Sequence, residues 1–454
     1  MIDALPFVML GTLALLLFSG LPVAIILCGL GVGFCIVGIA LGEMPWVAMY
    51  GIPPKLAYAV SGPFYPAVAM LLFMGVALEK SGIAADMLSC LRVLLRWMPG
   101  GMAIAVLLIG VILAPAAGIV GASVVTLSLI ALPAMLQNGY RPEVATGAVA
   151  AAGTVGIILP PAVMLFFLAG KFQVPMGSMF MATIVPGGIL IVLYLLYYLV
   201  TSWLRPPSAP LNEAANLLPG NRWSWALLIL RGLVAPLALI CLVLGSIIAG
   251  WVTPSQSGAI GAAGGLLLVF INGRMSWPLF RDMIAGTANL TAMVFFIIMA
   301  AAVFSYPFRY FGGDTAISDA LTALDIGPWP MLLLIVSIIF VLGFFIDWIE
   351  ITVITLPLFV PVLQGLALYG LEPGSPATML WIAGLVALVL QTSFLTPPFG
   401  FALFFLKGSA PPGVTLADIY RGIAPILVIQ LVVIGLVLAM PALITWLPAL
   451  VYAR

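Results

Sequence analysis

Apolar runs of bilayer-crossing length recur along this chain from one end to the other, and that property decides what it can fold into. Hydrocarbon offers no water to peptide groups, so only helices or closed barrels can span it. A helical span takes about 17–25 largely apolar residues. Runs of that kind fall at Phe64–Leu78, Gly101–Ile119, Met179–Leu204, Ala226–Gly250, Ser257–Ile271, Ala285–Phe304, Met331–Ile346, Ala377–Phe405 and Ile423–Leu447. Ahead of them the N-terminus has no basic leader and stays apolar from Ala4 to Leu41, which suits two closely linked spans rather than a signal peptide. Polar punctuation such as Glu79-Lys80-Ser81-Gly82 and Gly273-Arg274 separates the runs. The reading is an all-α polytopic membrane protein of roughly ten to twelve membrane segments.

Composition agrees. Of 454 residues, 64% are hydrophobic and 6% charged, against about 25% charged in soluble domains. The surface must therefore face lipid. A net charge of +1 argues against nucleic-acid binding, which needs a basic surface. The absence of histidine removes His-based zinc sites and Ser-His-Asp or Cys-His catalysis. Cys28, Cys35, Cys90 and Cys241 lie in or beside apolar runs without a CxxC pair and read as small hydrophobes. No GxxxxGK[ST] phosphate loop occurs.

One polar stretch, RPPSAPLNEAANLLPGNRW, begins at Arg205. It divides the chain into a first half (1–204), a linker (205–224) and a second half (225–454). Across Tyr50–Pro66, YGIPPKLAYAVSGPFYP reads as either an interfacial amphipathic helix or a loop. Positive residues are too sparse to orient the chain from sequence.

The two halves echo each other. In the first, Gly118-Ile119-Val120-Gly121-Ala122-Ser123 precedes an apolar segment ending at Leu132-Pro133; after a polar loop comes AAAGTVGIILPPAVMLFF, with Pro160-Pro161. In the second, GFFIDWIEITVITLPLFVP holds Leu356-Pro357, and LVLQTSFLTPPFGFALFF carries Pro397-Pro398. Consecutive prolines remove two donors and clash with the preceding turn, so each doublet should break its helix. Unpaired backbone within a membrane is tolerated where it lines a cavity or binds something. Interrupted spans in corresponding positions of duplicated halves mark the binding site of a secondary transporter. The short segments at Leu132-Pro133 and Leu356-Pro357 are expected to be re-entrant hairpins whose tips meet the broken helices.

Asp347 and Glu350 stand inside otherwise apolar sequence, where a carboxylate is costly and is a functional hypothesis by default. Asp347 falls at the second hairpin tip, where its charge could complete a cation site; the bland alternative is an interfacial anchor beside Trp348. Thr154, Thr392, Ser393 and Thr396 sit at the expected breaks, beside Gly153, Gly156 and the prolines. Their hydroxyls could join backbone carbonyls as hard oxygen ligands, or simply bond their own helices.

With these residues in view the chain resembles the large (M) subunit of tripartite ATP-independent periplasmic (TRAP) transporters. The similarity runs over nearly its whole length. It is strongest in GIVGASVVTLSLIALPAMLQNGYRPEVATGAVAAAGTVGIILPP, WVTPSQSGAIGAAGGLLL, FFIDWIEITVITLPLFVPVL and QTSFLTPPFG. The resemblance implies an inverted-repeat, elevator-type carrier with two re-entrant hairpins and two broken helices. It implies sodium as the coupling ion, with no other cofactor. One ion site would use Ser123 with Gly153, Thr154, Gly156 and Pro160; a second would use Asp347 with Gln391, Thr392 and Thr396. It further implies a small four-helix membrane subunit and a soluble periplasmic substrate-binding protein as partners, the bacterial inner membrane as location, and a small organic acid as substrate. The family often has Ser-Gly-Ser-Ser where this chain has Val120-Gly121-Ala122-Ser123, which leaves more of the first site to backbone. An intramembrane enzyme using Asp347 and Glu350, or a channel, would be the alternatives.

Overall fold

A computed structural model describes residues 4–62, 64–117, 120–205, 222–398 and 400–452. Most of the expected linker, together with Gly118 and Ile119 of the first hairpin cluster, lies outside the described residues. The described chain is helical, apart from an isolated bridge between Leu368 and Leu371. The first half runs α1 (Leu5–Leu17), α2 (Val23–Ala40), a 3₁₀ turn (Trp46–Gly51), α3 (Ile52–Val60), α4 (Tyr65–Lys80), α5 (Ile83–Leu94), α6 (Gly101–Ala117), α7 (Val120–Gln137), α8 (Pro142–Val155), α9 (Val163–Phe172) and α10 (Met176–Leu204). The second half runs α11 (Arg222–Ile229), a π turn (Leu230–Val234), α12 (Ala235–Ile248), α13 (Pro254–Ile271), α14 (Trp277–Tyr310), α15 (Gly313–Thr322) and α16 (Pro328–Leu342). There follow α17 (Trp348–Glu350), a second π turn (Ile351–Thr355), α18 (Leu356–Gln364), α19 (Pro376–Ser393), α20 (Phe401–Ser409), α21 (Leu416–Ala439) and α22 (Ala442–Tyr452).

Among the described residues eight helices are long and apolar enough to cross a membrane, or nine if Trp46–Val60 and Tyr65–Lys80 form one bent span. Shorter helices carry the remaining hydropathy peaks, among them Val163–Phe172, Pro328–Leu342 and Trp348–Gln364. They come from breaks and turns inside apolar sequence, which composition alone does not resolve. The Tyr50–Pro66 stretch is helical through α3, whose residues are all at least partly exposed.

Two expectations need correcting. Neither hairpin segment ends at its Leu-Pro. Helix α7 continues through Pro133 to Gln137, and the second segment passes Pro357 to Gln364. Pro357 is accommodated because the preceding Ile351–Thr355 turn is a π turn, so Pro357 opens a new helix at a position where its missing N–H is not needed.

Contacts between helix ends group them on two faces of the bundle. Arg274, in the α13–α14 turn, donates to Ser81 O (2.6 Å) and pairs with Asp86 (2.8 Å). Lys80 Nζ donates to Asp282 O at the start of α14 (3.1 Å). Met102 N, at the start of α6, donates to Tyr140 Oη beyond the end of α7 (3.3 Å), so α6 and α7 enter and leave together. Thr146 Oγ1 donates to Asp418 O (3.4 Å), which sets the start of α8 beside that of α21. A Cβ on Gly100 would meet Ser202 near the end of α10. These ends form one face. The ends of α9 and α14, with α3, form the other.

Candidate functional site

Each half contains one interrupted helix. Helix α8 stops at Val155 and α9 starts at Val163, with Pro160 and Pro161 between them and joined by a cis peptide bond. Helix α19 stops at Ser393 and α20 starts at Phe401, with Pro397 and Pro398 likewise cis. In the first break tight turns bond Ile157 N to Thr154 O (3.3 Å) and Leu159 N to Gly156 O (3.2 Å). Among the described residues no backbone amide donates to the carbonyls of Ile157 to Pro161. Pro160 and Pro161 are buried, so these acceptors are withdrawn from bulk water. The second break is more self-contained: Ala402 N donates to Phe394 O (3.1 Å) and Tyr420 Oη to Pro398 O (2.7 Å). Pro398 itself is exposed.

Glycines bring each hairpin against its break. A Cβ on Gly153 would lie 3.1 Å from Val124 Cα, so the backbone beside Ser123 packs directly on the end of α8. A Cβ on Gly343, which caps α16, would fall 2.6 Å from Ser393 Cβ. The second hairpin tip is therefore seated on the end of α19. The halves also interlock: Gly121 of α7 faces the Phe405 ring on α20, and Trp348 of α17 meets Phe167 of α9 edge-on (5.5 Å).

Asp347 and Glu350 are both buried. Asp347 is the N-cap of α17: its Oδ1 accepts from Trp348 N (2.8 Å), while Glu350 Oε2 accepts from Asp347 N (3.0 Å). Together they close a capping box, a reciprocal device the D-x-x-E spacing could have announced. Among the described residues neither carboxylate has a Lys or Arg partner. Burying an unpaired carboxylate is strongly unfavourable, and two adjacent ones more so. The α17 N-terminus offsets only part of that charge.

Gln391 is fully buried, and among the described residues neither its amide oxygen nor its amide nitrogen has a partner. The neighbouring hydroxyls donate into their own helices: Thr392 to Leu388 O (2.8 Å), Ser393 to Leu390 O (2.7 Å), Thr396 to Thr392 O (2.8 Å) and Thr154 to Ala150 O (2.9 Å). Their protons are used locally, and each oxygen keeps lone pairs. Among the described residues no hydrogen bond joins Asp347 to Gln391–Thr396. The two breaks and their hairpins carry two groups of hard oxygens, carbonyl and hydroxyl at the first and carboxyl at the second tip. Such donors suit a dehydrated alkali cation.

Eight helices long and apolar enough to cross a membrane among the described residues, with one interrupted helix in each half, describe a multi-pass membrane protein. The solved YdaH transporter of Alcanivorax borkumensis shares this fold, with a TM-score of 0.60 at 19% identity over 91% of this chain and 97% of its own. The MtrF efflux pump of Neisseria gonorrhoeae does so at 0.54 and 15%, over 86% and 83%. Residues 10–443 match the tripartite ATP-independent periplasmic transporter, DctM component, and the chain belongs to that family. The C4-dicarboxylate TRAP transporter large permease protein of Pseudomonas aeruginosa is 27% identical over 84% of this chain and 85% of its own. The isethionate TRAP transporter permease protein DctMQ of Oleidesulfovibrio alaskensis is 27% identical over 97% of this chain and 66% of its own. An ectoine/5-hydroxyectoine large permease of Ruegeria pomeroyi is 24% identical over 98% of both. These relatives are transporter permeases, which favours transport over an intramembrane enzyme.

Proposed function

We propose that this chain is the sodium-coupled large subunit of an importer for a small organic anion, in the bacterial inner membrane. The observation that carries the reading is the pair of interrupted helices, each held against a hairpin tip. The first break carries carbonyls without a backbone donor, the end of α19 carries the buried Gln391 amide, and the second tip carries two buried carboxyl groups without a cationic partner among the described residues. A sodium ion would satisfy these groups. Ser123 with Gly153, Thr154, Gly156 and Pro160 would hold one ion; Asp347 with Gln391, Thr392 and Thr396 would hold another. The sodium gradient would supply the driving force, and the hairpin-bearing helices would move as a body past the rest, as in an elevator.

Cation distribution supports an orientation. Lys80 and Arg274 at the ends of α4 and α13, Arg141 before α8, Arg205 after α10, and Lys407 and Arg421 beside the start of α21 belong to the face defined by the ends of α4, α7 and α10. By the positive-inside rule that face is cytoplasmic. A soluble binding protein would then deliver substrate to the opposite face, with a small four-helix membrane subunit beside this chain. The long DctMQ relative fits that partnership, since its length leaves room for a second part.

The test is uptake into liposomes holding all three components. Uptake should require an inward sodium gradient. Equal uptake with potassium in place of sodium sinks the coupling claim.

A further inference from the structure

A cavity of about 920 Å³ opens among α3, α9, α14 and α18, on the face opposite the cation-rich one. Lys55 of α3, Lys171 of α9 and Arg309 of α14 all line it, and no acidic residue does. Arg309 is partly neutralised by Asp314 from outside the wall (3.1 Å). Among the described residues Lys55 and Lys171 have no ion-pair partner. Lys171 is also partly buried, in the last turn of an apolar helix whose large side chains are packed away. Two uncompensated cations in a walled, partly apolar space raise the local concentration of anions by focusing the field.

Aromatic rings line the cavity and continue past its wall. Phe167 stacks edge-on with Trp348 (5.5 Å) on one side and Phe64 (5.7 Å) on the other. Trp348 follows Asp347 directly, so the aromatic wall of the cavity is in contact with the residue beside the second tip's carboxyl group.

We propose that this cavity captures the transported organic anion, with Lys171 as its principal charge partner and Lys55 and Arg309 flanking it. The ligand class is a small molecule with one or two carboxylate or sulfonate groups, its apolar part lying against Tyr65 and Phe167. The inference deepens the transport reading and rests on it for the identity of the occupant.

Charged thiol reagents test it without knowledge of the substrate. The assembled transporter is prepared with Cys28, Cys35, Cys90 and Cys241 replaced and Ser305→Cys placed in the cavity wall; Ser61→Cys serves if that protein does not fold. Rates with anionic and cationic methanethiosulfonates are compared, each normalised to a free thiol in solution. The anionic reagent should be favoured by about tenfold, and Lys171→Gln should remove most of that preference while Lys171→Arg keeps it. Succinate should slow the labelling. A normalised ratio of one or less overturns the proposal, as does Lys171→Gln leaving the ratio unchanged. Protection by phosphatidylglycerol vesicles, with none by succinate, would assign the cavity to a lipid headgroup and overturn it too. Loss of the preference in a preparation that retains sodium-driven uptake removes the cavity assignment alone; preference retained with sodium-independent uptake removes the coupling alone.

Discussion

Asp347 carries two duties that pull on the same side chain: it caps α17 through Trp348 N, and it brings unneutralised charge to the tip of the second hairpin. Asparagine is as good an N-cap as aspartate, so Asp347→Asn separates them. The protein should assemble normally, while the apparent sodium affinity in uptake assays falls by roughly tenfold or more, about 1.4 kcal/mol. Unchanged sodium dependence would reduce Asp347 to a structural cap. Gln391 permits the converse experiment. Its buried, unpartnered amide costs about 1–3 kcal/mol, so Gln391→Leu should raise the melting temperature of the purified subunit. If the amide is retained for an ion, the same variant should lose sodium-driven uptake; a more stable variant with full uptake would exclude Gln391 from the site. Sequence made Asp347 visible as a carboxylate in apolar surroundings, and the family resemblance brought in Gln391 beside the Pro doublet. It left Glu350 without a role, although D-x-x-E is a capping spacing. The threonine hydroxyls could not be assigned from sequence, because a Thr near a break bonds its own helix and offers a lone pair outward at once.

At the scale of elements, proline was a reliable guide in doublets and a poor one singly. Pro160-Pro161 and Pro397-Pro398 interrupt their helices, whereas Pro133 lies within α7 and Pro357 starts α18 behind a π turn. One missing donor can be absorbed by a local change of helical pitch; two in succession cannot. Glycine told less in advance, because its importance depends on which helices cross. Where α8 meets α21, a Cβ on Gly422 would overlap Glu143 O and crowd Gly147 N (2.9 Å), so the two backbones touch. This contact holds the broken helix of one half against a long helix of the other. Gly422→Val should force them apart, lowering stability by about 1–3 kcal/mol in thermal melts of the purified subunit, whereas the same change at Gly435, with nothing within 4 Å, should have little effect. Similar losses at both positions would mean that the close crossing contributes nothing special.

Among the described residues most of the placed cations gather on one face while Lys55, Lys171 and Arg309 line the cavity on the other, an asymmetry hidden in the sequence because these three are far apart along the chain. Lys171 did leave a trace, as the lone cation after PPAVMLFFLAG, but only the fold shows what it faces. The movement proposed for transport makes one contact decisive. Thr126 Oγ1 of α7, on the first hairpin, donates to Glu79 Oε1 near the end of α4 (2.5 Å). Helix α4 packs against α13 and α14 and also along α6, and this hydrogen bond adds a polar tie between α4 and the first hairpin. An elevator must break it in every cycle. With the native cysteines replaced, Glu79→Cys and Thr126→Cys should therefore form a disulfide on oxidation. Uptake should then fall to near background and return when the bond is reduced. A fully cross-linked transporter that still carries substrate at its normal rate would show that α4 and α7 do not move apart, and the two halves would then have to expose the site by local opening of the hairpins instead.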